Sequence, residues 1–161
     1  MKTLYVLRHG QAAPEAEAKS DRERELTARG KSEVLRAAKH LRKRPIAPSL
    51  ILASSAARAR QTAEACLAAL PGTQLLLADE LYLAEPSSYF AELAQSAEGH
   101  AAVAVVGHNP GLEALIYVLS ERSEHLATAS LVELELEVAR WSELSGRGRG
   151  RAGRITDVFR A

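Results

Sequence analysis

The sequence is poor in several features, and each shortage excludes a class of protein. Its 161 residues include one cysteine, Cys66, which excludes an internal disulfide framework and a cysteine-based zinc site. No apolar run approaches the roughly 20 residues that a membrane-spanning helix needs. An excess of one charge is also missing, since 21 Lys+Arg face 20 Asp+Glu and the net charge is +1. The net charge therefore gives no general electrostatic attraction to nucleic acid or an anionic membrane, and any anion site must depend on a local group of basic residues.

The length and composition indicate one globular domain over residues 1–161. The content of 47% hydrophobic and 25% charged residues disfavours disorder, and aromatics at 4% predict an interior of Ala, Leu and Val. The chain enters a strand-like run directly after Met1, without the regions of a signal peptide, so we expect a cytoplasmic protein. We also expect a monomer, because no apolar face is left once helices cover the sheet.

Strand-like and helix-like segments alternate along most of the chain. Apolar runs without polar alternation at residues 4–7, 50–53 and 101–106 are typical of strands buried on both faces, and residues 74–78 are a further strand candidate. Amphipathic helices follow them, with candidate N-caps at Thr27, Ser54-Ser55 and Asn109.

The end of the chain follows a different pattern. Residues 132–138 alternate apolar side chains with glutamates, which predicts an antiparallel strand near a sheet edge, and residues 155–159 predict a last short strand. Together the segments predict a three-layer α/β/α sandwich with a mostly parallel central sheet and an antiparallel edge strand.

Basic and imidazole side chains follow three of the predicted buried strands. Arg8, His9 and Gly10 come after the first strand, Arg58 after the second, and His108 after the strand that ends at Gly107. The carboxyl ends of parallel strands meet at one edge of a sheet, so we expect these groups in one crevice. Two guanidinium groups and two imidazoles there predict a site for a compact, doubly charged anion such as a phosphoryl group.

The same residues carry a resemblance to a known family. In order and spacing they resemble the histidine phosphatase superfamily, whose fold is that of phosphoglycerate mutase. The short chain, the lack of an inserted lid and the G-H-N-P turn are most similar to the small SixA-type phosphohistidine phosphatases. The motifs are Leu7-Arg8-His9-Gly10, Leu26-Thr27-Ala28-Arg29-Gly30, the S-S-A-A-R-A-R-Q-T run of residues 54–62, and Gly107-His108-Asn109-Pro110.

The resemblance implies a catalytic role for each of these groups. It makes His9 the nucleophile, which attacks phosphorus to form a phosphohistidine that water then hydrolyses, with no metal and no cofactor. Arg8, Arg58 and His108 then hold the phosphoryl oxygens. Arg24 corresponds to a further basic residue of the family that reaches the phosphoryl group. An imidazole is a competent nucleophile when neutral, so this role agrees with the chemistry of the residue.

Two positions near the site are less well defined. Glu80 is the nearest match to the carboxylate that larger family members use as general acid, and it is a candidate for that role. Gln11 stands where the family has another polar residue close to the R-H-G triplet, and Ala12 and Ala13 follow it. This departure argues against a sugar-phosphate mutase. Gly10 is a candidate phosphate-binding residue because it places no side chain beside the anion.

The function that these features favour is removal of phosphoryl groups from phosphohistidine on a signalling or phosphotransfer protein, such as a histidine phosphotransfer domain, with inorganic phosphate as product. The alternative is a metal-independent phosphomonoesterase or mutase for small phosphorylated metabolites. A phosphate-binding module without turnover is a rival from another class. A nucleic-acid binder acting through the Gly/Arg-rich residues 146–154 is a third, but that run is short and lacks aromatics, so we expect a hairpin tip and no nucleic-acid or membrane partner.

Overall fold

The computed structural model describes residues 1–147 and 150–161. Within these residues strands and helices alternate, and three short 3-10 turns lie in the connections, at Glu15–Glu17, Asp21–Glu23 and Asp79–Leu81. The elements are β1 (Lys2–Arg8), α1 (Ala28–Arg42), β2 (Leu50–Ser54), α2 (Ala57–Ala69), β3 (Gln74–Ala78), α3 (Pro86–Ser96), β4 (Ala102–Gly107), α4 (Gly111–Ser120), β5 (Leu131–Leu136), α5 (Glu143–Gly146) and β6 (Gly153–Phe159).

The strands form one sheet in the order β3-β2-β4-β1-β5-β6. The first four of these strands run parallel, so β1, β2 and β4 end at the same edge of the sheet. β5 pairs antiparallel with β1, and β6 pairs antiparallel with β5. The predicted mixed sheet is therefore confirmed, with the antiparallel pairing at one end.

Helices cover both faces of the sheet. Successive residues of a strand point to opposite faces, and in β1 Leu4 and Val6 pack into one apolar cluster while Tyr5 and Leu7 pack into the other. α1 and α2 contribute to the second cluster, and α3 and α4 to the first. This arrangement confirms the α/β/α sandwich, and burial of β1, β2 and β4 explains their uninterrupted apolar runs.

Two of the three predicted helix caps are wrong. Thr27 does cap α1, since its hydroxyl accepts a hydrogen bond from the Gly30 amide at 3.0 Å. α2 and α4 begin one residue later than predicted, after Ala56 and Pro110, without a side-chain cap. The polar side chains expected there have other partners: the Ser54 hydroxyl contacts His108, and the Asn109 amide donates to the Leu126 carbonyl.

The predicted Gly/Arg loop is shorter than its sequence suggests. Gly146 is the last residue of α5, and Gly153 and Arg154 already belong to β6. The sheet extends this far because Gly153 pairs with Leu136 and Arg154 with Glu135 across the antiparallel ladder. Residues 148 and 149 of the predicted loop lie outside the described residues. In the part of the chain that the structure describes, no helix is long and apolar enough to cross a membrane.

Candidate active site

A cleft of about 350 Å³ opens at the carboxyl ends of the parallel strands. Arg8 is the last residue of β1, His108 follows β4 directly, and Arg58 lies in the first turn of α2. The loop between β1 and α1 closes one side of the cleft with its two 3-10 turns. The lining residues are Arg8, His9, Glu15, Asp21, Arg24, Arg58, Tyr82, Leu83, His108 and Asn109. All four residues predicted for catalysis, and Arg24, are therefore in one place.

His9 is buried, and each of its ring nitrogens has one hydrogen-bond partner. Its Nδ1 lies 2.7 Å from the Gly10 carbonyl oxygen. A carbonyl can only accept, so Nδ1 carries the hydrogen and the lone pair is on Nε2. The Nε of Arg58 donates to that lone pair at 3.3 Å. Burial, with Arg58 and Arg8 nearby, lowers the pKa of His9 to about 4, so the imidazole is neutral at pH 7.

His108 has the opposite tautomer. Its Nε2 lies 2.8 Å from the Ser54 hydroxyl. That hydroxyl is buried, and Nε2 is the acceptor that the described residues offer its hydrogen, since its other contact is with the Ala56 amide, which donates to it. The hydrogen of His108 is then on Nδ1, a buried atom that has no hydrogen-bond partner among the described residues. Burial, with His9 and Arg58 close by, lowers the pKa of His108 to about 3. The two rings are 5.2 Å apart between centroids, and His108 supplies a donor where His9 supplies a lone pair.

The Arg8 side chain is held by the backbone of Leu126. Its Nη1 donates to the Leu126 carbonyl at 2.8 Å, and its Nε is buried with no partner in the part of the chain that the structure describes. The Leu126 backbone is itself held, because Glu113 accepts from its amide at 2.9 Å and the Asn109 side chain donates to its carbonyl at 2.9 Å. The unpaired Nε of Arg8 and Nδ1 of His108 are two buried groups able to donate to an anion in the cleft.

Two further residues that line the cleft, Asp21 and Tyr82, were not predicted from the sequence. The Asp21 carboxylate accepts from Arg58 at 3.0 Å, from Arg24 at 3.0 Å, and from the Tyr82 hydroxyl. Tyr82 also sets its ring edge-on to His108, with centroids 5.6 Å apart. The Tyr82 hydroxyl, followed by Arg24 and Arg58, holds the pKa of Asp21 well below its usual range. Asp21 is therefore ionised at every pH where the protein would work.

The remaining predicted residues differ in their placement. Gly10 lies beside His9, but a Cβ there would meet Val34 Cγ2 at 2.6 Å and the Gly30 carbonyl oxygen at 2.8 Å. Glycine is thus needed at position 10 for α1 to approach β1 closely. Glu80 is exposed on the 3-10 turn after β3 and is not among the residues that line the cleft. Among residues 1–147 and 150–161, no group of His, Cys, Asp and Glu is arranged to hold a metal ion.

The two buried imidazoles predict a fall in stability at mildly acidic pH. The folded-state pKa of His9, about 4, is below the ordinary value of 6.5. Between these values the unfolded chain binds a proton that the folded chain does not, so the free energy of unfolding decreases as pH falls from 6.5 to 4. Each pKa unit corresponds to about 1.4 kcal/mol, so His9 alone contributes a loss of about 3 kcal/mol. Urea unfolding at pH 7, 6, 5 and 4.5 measures this loss.

The control for this measurement is a histidine at the surface. His9→Gln should remove the share of His9 from the decrease between pH 6.5 and 4 and leave the share of His108, whereas His125→Gln should leave the decrease unchanged, because the His125 side chain is 83% exposed. An equal slope for wild type and His9→Gln would show that His9 is not held neutral by the fold.

Comparison with known proteins finds one matching family model. Residues 4–82 match the family model of the histidine phosphatase superfamily, branch 1, and this segment includes most of β1, the R-H-G triplet and Arg58. This part of the chain is similar to the histidine phosphatase superfamily. A search of curated protein sequences finds no significant match. The sequence resemblance to this superfamily is confirmed.

Similar solved structures extend the likeness over nearly the whole chain. SixA from Agrobacterium tumefaciens is 28% identical with a TM-score of 0.82, over 99% of this chain and 98% of that one. SixA from Nakamurella multipartitia is 26% identical with a TM-score of 0.84, over 98% and 95%. The protein histidine phosphatase SixA complexed with tungstate is 25% identical with a TM-score of 0.77, over 98% and 96%. These likenesses support a phosphatase.

Proposed function

We propose that this chain is a metal-independent phosphohistidine phosphatase that acts through a phosphoenzyme on His9. The observation that carries the proposal is the state of His9, which presents an unprotonated Nε2 to a cleft containing Arg8, Arg24 and Arg58. Three guanidinium groups supply the charge that a phosphoryl dianion requires, and His108 adds a neutral donor. The tungstate complex of a similar SixA structure supports an oxyanion as the ligand of such a site.

The reaction takes place in two displacements at phosphorus. In the first, the lone pair of His9 Nε2 forms a bond to phosphorus while the N–P bond of the substrate breaks, and its electron pair leaves with the substrate imidazole, which is protonated from solvent. In the second, a water oxygen attacks the phosphorus on His9, the new N–P bond breaks, and orthophosphate leaves. Covalent catalysis divides one difficult transfer into two easier ones. The guanidinium groups stabilise the charge on the equatorial oxygens in both steps.

The acid–base groups of the cleft favour phosphohistidine over a phosphomonoester. The leaving group of a phosphomonoester is a basic alkoxide, which needs a strong proton donor. The imidazole of a phosphohistidine is a far better leaving group. Glu80 does not line the cleft, and Asp21 is held ionised by Tyr82, Arg24 and Arg58. Glu15, the other carboxyl on the lining, is exposed at the rim. The site thus offers strong charge stabilisation and no buried acid among the described residues.

The substrate proposed is a phosphohistidine on the surface of another protein, such as a histidine phosphotransfer domain. Its test is a panel in which the enzyme meets a phosphohistidine protein and several sugar and amino-acid phosphomonoesters, with and without a chelator. We expect kcat/KM to be highest on the phosphohistidine protein and unchanged by the chelator. Faster turnover of a small phosphomonoester would assign the chain to the phosphomonoesterase or mutase alternative. Loss of activity with the chelator would overturn metal independence.

A further inference from the structure

Asp21 lies at the centre of the contacts that hold the cationic side of the cleft. Its backbone carbonyl accepts from Arg58 Nη1 at 2.7 Å, and its Oδ2 accepts from Arg58 Nη2 at 3.0 Å. Its Oδ1 accepts from Arg24 Nη1 at 3.0 Å, and Oδ2 also accepts from the Tyr82 hydroxyl. One residue of the loop after β1 thereby ties together the loop itself, the start of α2 and the segment after β3.

Asp21 binds one edge of the Arg58 guanidinium and does not contact the edge that includes Nε. A guanidinium has five N–H donors in a rigid plane, and its two terminal nitrogens form one edge while Nε forms part of another. Asp21 holds the terminal edge through its carbonyl and carboxylate oxygens. Nε, 3.3 Å from His9 Nε2, faces the place where a phosphoryl group would join that nitrogen. We infer that Asp21 is a positioning residue, which fixes Arg58 so that its Nε edge faces the phosphoryl group on His9.

This inference rests on the proposed function and adds to it the residue that aligns its main transition-state donor. Two other roles for Asp21 give different outcomes. If its carboxylate occupied the place of the substrate phosphoryl group, removing it would free the site and raise turnover. If it only neutralised the buried Arg58, removing it would lower stability and affect anion binding and turnover together. Positioning instead affects the transition state more than the bound ground state, because a guanidinium displaced by about 1 Å can cost as much as about 10²-fold in rate.

Asp21→Asn is the decisive variant, since asparagine keeps the shape but has one acceptor oxygen in place of two. With any phosphorylated substrate that the wild type accepts, we expect kcat to fall about 10-fold to 100-fold. We expect KM and the inhibition constant of orthophosphate to stay the same or fall, because the variant removes a negative charge from an anion site. Asp79→Asn is the matched control: Asp79 also pairs with an arginine, Arg22, but it does not line the cleft, and its kinetics should equal those of wild type.

A double-mutant cycle tests whether Asp21 acts through Arg58. Asp21→Asn and Arg58→Lys should be strongly non-additive, so that Asp21→Asn costs little once Arg58 is lysine. Additive losses would overturn the inference, as would a kcat within about threefold of wild type, an increase in kcat, or an equal loss in Asp79→Asn. If Asp21→Asn does not fold at the assay temperature, Asp21→Glu takes its place; it keeps the charge on a longer side chain and should lose less kcat than Asp21→Ala.

A readout without turnover separates this inference from the proposed function. The Nε–H proton of Arg58, identified by its absence in Arg58→Lys, should give a sharp NMR signal in wild type that shifts when orthophosphate is added. In Asp21→Asn the signal should broaden, because the guanidinium is no longer held. An unchanged signal in the variant would refute positioning even if the wild type proved inactive on every phosphohistidine protein, and a broadened signal would support positioning in that case too.

Discussion

His9→Ala is expected to reduce turnover by at least about 10³-fold and to abolish the phosphoenzyme, because the variant lacks the unprotonated ring nitrogen that faces the cationic cleft. Rapid quenching of the wild type with a radiolabelled substrate should trap phosphate on the protein that is labile to acid and stable to base, as a phosphoramidate bond is. The same treatment of His9→Ala should trap none. The arginines remain in the variant, so it should still bind orthophosphate.

His108→Ala is the matched comparison, because both imidazoles are buried and held neutral. They differ in tautomer: Gly10 fixes the lone pair of His9 on Nε2, whereas the Ser54 hydroxyl occupies Nε2 of His108 and leaves Nδ1–H as a donor. His108→Ala should therefore lose about 10²-fold to 10³-fold in kcat, the usual cost of one preorganised donor, but still form the phosphoenzyme. A label on His108 in wild type, or a label that survives in His9→Ala, would refute the assignment of the nucleophile.

The sequence was sufficient to predict which residues meet in the cleft because strand burial and parallel pairing determine where strand ends lie. The apolar runs that became β1, β2 and β4 each stop just before the residues of interest, and parallel strands bring those stops to one edge. Arg8, His9, Arg58 and His108 needed no further information. Thr27 was predictable for a local reason, since an N-cap contacts an amide only three residues away.

The contacts that orient these residues were not predictable, because they join distant parts of the chain through single side chains. Asp21 meets Arg58 and Tyr82 across 37 and 61 residues, and no periodicity or cap pattern marks such a pair. Ser54 and Asn109 are residue types that commonly cap helices, so the sequence predicted caps at these positions. In the structure each side chain instead bonds to a distant residue, Ser54 to His108 and Asn109 to the Leu126 carbonyl. Glu80 was chosen by analogy with longer relatives, and its 3-10 turn leaves it outside the cleft lining.

Arg58→Lys is expected to lower kcat/KM by about 10²-fold to 10³-fold, equivalent to about 2.7–4 kcal/mol of lost transition-state stabilisation, although the charge of the side chain is conserved. Arg58 donates at once to the Asp21 carbonyl, the Asp21 carboxylate and His9 Nε2, from three different nitrogen atoms. A lysine has one nitrogen on a flexible stem and cannot hold the aspartate while directing a donor at the phosphoryl group.

The loss of kcat/KM should therefore depend on where the guanidinium lies, so the control makes the same Arg→Lys exchange outside the cleft. Arg60→Lys makes the same exchange two residues further along α2, where the guanidinium pairs with Glu64 at the surface, and it should leave kcat/KM unchanged. Steady-state kinetics of both variants, with circular dichroism to verify folding, measure the difference. If Arg58→Lys retained activity within about threefold of wild type, net positive charge alone would explain catalysis, and the rigid guanidinium at the start of α2 would have no special part in it.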